Sequence, residues 1–174
     1  EKVEQNLQDL ESLIDWMVIR GMRMFRIGSS LVPLASHPRM ASHWQRHFAD
    51  RLASIGTRAK VEGMRLSMHP GQYTVLNSPN EDVVRQSIAE LQYSCEILDL
   101  MGLDASHKVL IHAGGVYGDK TASTKRLVSA IQDLPEPILR RFALENDERH
   151  YNFAEIVAIG EFTGISTIFD LHHE

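Results

Sequence analysis

Arg65-Leu-Ser-Met-His-Pro-Gly-Gln-Tyr73 is the stretch that decides the fold. Apolar residues alternate with other residues up to Met68, a histidine follows, and Pro70-Gly71 then interrupts the backbone. Period-two apolar spacing before a Pro-Gly pair is typical of a short buried strand. We therefore expect His69 at the carboxyl end of a strand, which is where parallel α/β sheets and barrels bind their ligands.

An apolar segment followed by a polar residue of the ligand type occurs at four more places. The other predicted strands are Met24–Ser29, Lys108–His112, Phe142–Glu145 and Ile165–Asp170. Helices are predicted over residues 1–20, 41–61 and 121–133, from a Ser78-Pro-Asn-Glu81 capping box to Gly102, and from an Asn152/Glu155 cap to near Gly164.

Strict alternation of strands and helices predicts an α/β fold with a parallel sheet and right-handed crossovers. The sequence starts on a helix and stops directly after a strand. We therefore expect residues 1–174 to be a single domain, the central part of a (β/α)8 TIM barrel with about five parallel strands. On this view the first strand and the last strands of the barrel are missing. A compact doubly wound sheet is the alternative.

Composition limits the function classes. The chain has 174 residues, of which 43% are hydrophobic, and its net charge is -5. A partner held mainly by a basic surface is therefore not supported, although bound cations could still attract nucleic acid. The single cysteine, Cys95, cannot form an internal disulfide, and no apolar run reaches membrane-spanning length. We expect a cytoplasmic protein without membrane contact, and no obligate protein partner is evident.

Imidazole and carboxylate side chains end the predicted strands. They are His69, His112, Glu145 and Asp170, with His37 in the loop after the first strand and His173 three residues beyond Asp170. This mixture suits Zn, Mn or Fe better than Ca, and it is what a multinuclear hydrolytic site needs. A lone histidine after a strand is usually a loop residue, and we assign His43, His47, His107 and His150 to such structural roles. Four consecutive strands that each end in a ligand-type residue are hard to explain by packing.

Five motifs resemble the UV-damage endonuclease family over essentially the whole chain. They are Phe25-Arg-Ile-Gly-Ser-Ser-Leu-Val-Pro-Leu-Ala-Ser-His-Pro38, Met68-His-Pro-Gly-Gln-Tyr73, Ile111-His-Ala-Gly-Gly-Val-Tyr-Gly-Asp-Lys120, Leu144-Glu-Asn-Asp147 and Phe169-Asp-Leu-His-His173. The resemblance implies a metal-dependent TIM barrel related to endonuclease IV and the xylose-isomerase-like enzymes. It also implies an enzyme that nicks damaged double-stranded DNA 5′ of UV photoproducts with divalent ions, usually manganese and up to three.

The resemblance also implies roles for individual residues. His69 and His112 would bind one metal ion, Glu145 would bridge it to a second ion that also takes Asp170, and His173 would serve a third. His37 and Glu145 would be the catalytic residues, with His37 near the scissile phosphate. Gln72 and Tyr73 match the pair that wedges into the duplex at the lesion, where weakened stacking makes insertion least costly. The alternative for Tyr73 is packing on its own turn.

Two other functions remain open at this point. One is a metal-dependent sugar isomerase or epimerase of the same barrel superfamily. The other is a catalytically incomplete fragment that binds damage, because further metal ligands of the family have no counterpart in these 174 residues. The Gln72-Tyr73 pair and the excess of histidines over carboxylates favour the nuclease.

Overall fold

Helices and strands alternate along the chain in the computed structural model, which describes residues 1–37 and 43–173. The strands are β1 (Met24–Gly28), β2 (Arg65–His69), β3 (Val109–His112), β4 (Phe142–Glu145) and β5 (Ser166–Ile168). The helices are α1 (Lys2–Ile19), α2 (Trp44–Val61), α3 (Glu81–Leu100), α4 (Lys120–Gln132), α5 (Glu136–Leu139) and α6 (Phe153–Thr163), and a 3-10 turn (Leu171–His173) follows β5.

The described strands form one parallel sheet in the order β1-β2-β3-β4-β5. Strand order therefore follows chain order, as in the wall of a (β/α)8 barrel. A doubly wound sheet reverses its strand order at a switch point, so the doubly wound alternative is wrong. The α/β fold expected from the sequence, a partial barrel of five parallel strands, is confirmed.

The two faces of the sheet have different roles. Side chains such as Leu66, Met68 and Val109 are completely buried in the hydrophobic core, which they share with the apolar faces of the helices. Because side chains alternate along a strand, His69 and Ser67 point to the other, inner face. A guanidinium on β1 reaches a carboxylate on β4 across this inner face, with two strands between them. That contact fits a sheet that curls around its inner face.

Local predictions were largely correct, with three differences. The capping box of Asn152 and Glu155 is present at the start of α6. By contrast, α3 begins at Glu81 and is capped by Asn80, so the predicted start at Ser78 is wrong. The Ser78 hydroxyl accepts from the Asn80 backbone N–H instead, which leaves the Asn80 side chain to accept from the N–H of Asp82. The short helix α5 was not predicted, and β5 ends before Asp170.

Within the described ranges, no helix has the length and apolarity that crossing a bilayer would require.

Candidate metal centre

Three neighbouring strands deliver their last residues to one place. His69 ends β2, His112 ends β3 and Glu145 ends β4. One ligand atom of each lies within 4.8 Å of the ligand atoms of the other two. The Nε2 atom of His69 is 3.2 Å from Glu145 Oε2, and the Nε2 atom of His112 is 4.0 Å from the same oxygen. Parallel strands end at a common edge, so the convergence follows directly from the topology.

The far side of each imidazole determines which nitrogen faces the carboxylate. Nδ1 of His69 lies 2.7 Å from the carbonyl oxygen of Pro70, and Nδ1 of His112 lies 3.2 Å from that of Asn146. A carbonyl oxygen only accepts, so each Nδ1 carries a hydrogen and each Nε2 turns toward Glu145. With the hydrogen on Nδ1, the Nε2 atom of His69 and the Oε2 atom of Glu145 both present a lone pair, and they lie 3.2 Å apart. Two lone pairs at this distance repel each other unless a positive centre lies between them. A proton or a metal cation can fill that place, and the two imidazoles and one carboxylate are a donor set that suits Mn, Fe or Zn.

Glu145 is buried yet ionised. Its side chain is 1% exposed, and Arg26 donates from Nη2 to Oε1 at 2.9 Å. Burial raises the pKa of Glu145, but the contacts with His69 and Arg26 and the charge of Arg26 outweigh it and lower the pKa to about 2. At neutral pH the side chain is therefore a carboxylate, the form that binds metal.

His173 extends the cluster beyond these three residues. Its ring centroid lies 5.0 Å from that of His112, which in turn lies 5.0 Å from that of His69. Nδ1 of His173 is 3.0 Å from Glu148 Oε2, and Nε2 is 3.8 Å from Asp170 Oδ2. The predicted ligands His173 and Asp170 thus adjoin the three-residue group.

The Asn146 side chain holds the chain segment after β5 against the end of β4. It donates from Nδ2 to the carbonyl oxygen of Asp170 at 3.0 Å and accepts from the Asp170 N–H at 2.8 Å. Asn146 is completely buried, so this double hydrogen bond is protected from water. Asp170 is thereby placed beside the strand ends although it lies outside β5.

Comparison with known proteins assigns the chain to a family. The sequence profile described as UV-endonuclease UvdE matches residues 1–174. The chain belongs to the UvdE family. A UV DNA damage endonuclease from Clostridium perfringens is 41% identical over 170 residues, covering 98% of this chain and 41% of the relative. A putative UV-damage endonuclease of Acanthamoeba polyphaga mimivirus is 37% identical over an alignment that covers 99% of this chain and 54% of that relative. The chain thus spans about half the length of the curated relatives it matches.

Solved structures agree with the UvdE assignment. The crystal structure of SacUVDE superimposes with a TM-score of 0.94 at 39% identity, over 99% of this chain and 59% of that one. A D-psicose 3-epimerase from Clostridium cellulolyticum H10 matches with a TM-score of 0.65 at 18% identity, over 95% of this chain and 59% of the epimerase. At that identity the epimerase likeness shows a shared fold alone, so it does not support the isomerase alternative.

Gln72 and Tyr73 occupy the centre of a turn that follows His69, a member of the three-residue group. The Thr74 N–H donates to the carbonyl oxygen of Gly71 at 2.9 Å, which closes the turn just after His69. Both side chains are exposed, and Tyr73 is 83% exposed. Tyr73 therefore projects into solvent and does not pack on its own turn.

His37, like Asp170 and His173, is a predicted site residue that does not belong to the three-residue group. It is exposed in the loop after β1, where its backbone N–H donates to the carbonyl oxygen of Leu34. Residues 38–42, which follow it, lie outside the described residues.

Among the histidines given structural roles, His107 is buried and its Nδ1 accepts from the Leu66 N–H at 3.0 Å. The structural, hydrogen-bonded role predicted for His107 is confirmed.

Sequence reasoning missed three residues that contact the predicted ligands: Arg26, Asn146 and Glu148. Arg26 stands between Phe25 and Ile27 in the strand Met24–Gly28, and a charged residue between two apolar ones was an available signal. Asn146 follows Glu145 directly within the motif Leu144-Glu-Asn-Asp147. Glu148 gave no signal, because only the fold brings it beside His173.

Proposed function

We propose that this protein is a metal-dependent DNA-repair endonuclease that nicks the backbone of double-stranded DNA 5′ of UV photoproducts and related lesions. The convergence of His69, His112 and Glu145, with both Nε2 atoms facing one carboxylate, is the observation that carries the proposal. The family assignment and the relatives named UV DNA damage endonuclease support it.

The proposed metal is Mn²⁺, with up to three ions in the complete centre. Nε2 of His69, Nε2 of His112 and the carboxylate of Glu145 would hold the first ion, and Glu145 would also serve a second. Asp170 would bind that second ion and His173 a third, because both adjoin the first group. Bound divalent ions would polarise the phosphate under attack and make a water molecule more acidic.

The chain's own residues would then position the substrate. We assign His37 to the scissile phosphate, where an imidazole can hold or move a proton. Glu145 is the other catalytic residue, because its carboxylate would fix the ions against the phosphate. Gln72 and Tyr73 would insert into the duplex at the lesion, and the exposure of their turn supports this role.

The wider setting is part of the same proposal. We propose that residues 1–174 form a single domain that contributes five strands to a (β/α)8 barrel. The partner would be damaged double-stranded DNA, without a membrane or an obligate protein partner. A cytoplasmic location is consistent with Cys95 as a buried free thiol.

A cleavage assay on the full-length protein tests this function. The protein is incubated with Mn²⁺ and a duplex that carries one thymine dimer, beside an undamaged duplex. We expect a nick 5′ of the dimer that is lost in His69→Ala and Glu145→Ala. Removal of one metal ligand typically costs far more activity than a surface change, so the matched control is His150→Ala, an exposed histidine outside the group.

Two results would contradict the proposal. Equal cleavage of damaged and undamaged duplex would exclude a damage-specific enzyme. Cleavage that persists in EDTA, or in both ligand variants, would exclude the metal centre.

A further inference from the structure

Arg26 makes the most unusual contact of the site. Its strand, β1, is separated from β4 by β2 and β3. The guanidinium nevertheless reaches Glu145, with Nη2 at 2.9 Å from Oε1 and Nη1 at 3.5 Å from Oε2. One guanidinium thus lies against both oxygens of the carboxylate that the proposed metal ions would use.

The burial of the two partners is unequal. The Glu145 side chain is 1% exposed, whereas the Arg26 side chain is 44% exposed. A buried carboxylate without a positive partner is costly, so when no cation is present Glu145 depends on Arg26 beside its contact with His69. Within residues 1–174, Arg26 keeps part of its side chain in water, so the solvation of its charge depends less on the pair than that of the Glu145 charge does.

We propose that Arg26 is a positioning residue that stands in for a metal cation at Glu145. In the metal-free protein it neutralises and orients the carboxylate, and it gives up part of this contact when a divalent ion binds. Two positive centres on one carboxylate repel each other, so Arg26 stabilises the metal-free form more than the loaded form. By linkage, Arg26 weakens metal binding and holds the affinity below what the ligands alone would give.

The inference rests on the proposed metal site, and it predicts an unusual result for Arg26→Met in the full-length protein. In EDTA, the melting temperature should fall by about 5 °C or more, because Glu145 loses its guanidinium partner and keeps only the contact with His69. In saturating Mn²⁺ this loss should shrink. Titration calorimetry should show that the variant binds Mn²⁺ about tenfold more tightly than the wild type, the equivalent of about 1.4 kcal/mol.

Three further variants separate this role from a merely structural one. Arg26→Lys keeps the charge and should restore most of the stability in EDTA. Arg58→Met removes an arginine of similar exposure that pairs with Asp15 and Glu62, and it should leave Mn²⁺ binding unchanged. On a Glu145→Gln background, Arg26→Met should lower the melting temperature in EDTA much less, since the charge that it balances is gone.

Several outcomes would overturn the inference. They are weaker Mn²⁺ binding by Arg26→Met, an equal loss of stability with and without Mn²⁺, and an undiminished loss on the Glu145→Gln background. If Arg26→Met alone does not fold, the double variant Arg26→Met/Glu145→Gln decides: folding supports the inference and failure to fold refutes it. A wild-type protein that does not bind Mn²⁺ would instead refute the proposed function, so the two failures are distinguishable.

Discussion

At the scale of single residues, one hydrogen bond on the far side of each imidazole directs the chemistry. The carbonyl oxygens of Pro70 and Asn146 accept from Nδ1 of His69 and His112. Both Nε2 atoms are thereby aimed at Glu145 before any cation arrives. A backbone carbonyl holds this orientation without a titratable partner, so the ligand geometry does not depend on the protonation of a second side chain.

Tyr73 offers a prediction at this scale. Tyr73→Ala should weaken binding to a duplex with a thymine dimer by about 5- to 100-fold, the range expected for loss of one base–aromatic stack. Mn²⁺ content should not change, because the ring projects into solvent next to the cluster. Fluorescence anisotropy on damaged and undamaged duplexes, with metal analysis of the same samples, measures both quantities.

The matched control is Tyr117→Ala. Tyr117 is a half-exposed tyrosine in the loop after the next strand, β3. We expect this variant to retain the preference for damaged DNA. A loss of Mn²⁺ in Tyr73→Ala as large as the loss of discrimination would show that Tyr73 supports the fold and does not read the lesion.

Cys95 gives a second prediction at residue scale. The thiol is 1% exposed on α3, and burial raises its pKa to about 12. Because the thiolate is the reactive form, the native protein should leave Cys95 unmodified by iodoacetamide at pH 8. Peptide mapping after labelling should find Cys95 alkylated only when guanidinium chloride is present. Rapid labelling of Cys95 in the native protein would show that α3 opens readily.

At the scale of elements, the approach of α2 to the end of α3 depends on a glycine. A Cβ at Gly56 would lie 1.8 Å from the carbonyl oxygen of Met101, the residue that caps α3. A backbone carbonyl cannot rotate away as a side chain can. Helix α2 therefore packs so closely against the end of α3 that only glycine, which has no side-chain carbon, fits at position 56.

Gly56→Ala should consequently destabilise the protein by about 3 kcal/mol or more, despite the better helix propensity of alanine. Urea denaturation followed by circular dichroism measures the change in the free energy of unfolding. Ser54→Ala, an exposed change on the same helix, should stay within about 0.5 kcal/mol of the wild type. If both variants unfold at the same urea concentration as the wild type, the close packing of α2 on α3 is wrong.

At the scale of the whole molecule, a metal ion held between three strands should link their stabilities. Mn²⁺ at about 100 times its Kd should stabilise the protein by about 2.7 kcal/mol, a rise of about 5–10 °C in Tm. EDTA should reverse the rise, and calorimetry with and without the chelator measures it. His112→Ala should abolish most of the shift.

The control for that experiment is His107→Ala. His107 is buried and bonded to the Leu66 N–H, so the variant should be less stable than the wild type. It should nevertheless keep the Mn²⁺-dependent rise, because His107 is not in the three-residue group. A full shift in His112→Ala would mean that Mn²⁺ binds elsewhere.

The sequence alone was enough to determine the alternation of strands and helices and the residues that end β2, β3 and β4, whereas Asp170 lies beyond the end of β5. Periodicity of two or 3.6, proline-glycine breaks and capping residues are local signals, and His69, His112 and Glu145 directly follow such signals. The predicted start of α3 was wrong because Ser78 and Asn80 can both cap a helix. The path of the folded backbone makes Asn80 the N-cap.

Only the tertiary structure decided how these strand ends meet. Sheet order, the contact of Arg26 with Glu145 across two strands, and the pairing of Glu148 with His173 join residues that are distant in sequence. No local pattern encodes such distances, because they follow from the register and curvature of the folded sheet. The types of the ligand residues could therefore be predicted from the sequence. The ion pair of Arg26 with Glu145 could not, because it exists only where the folded sheet brings β1 and β4 together.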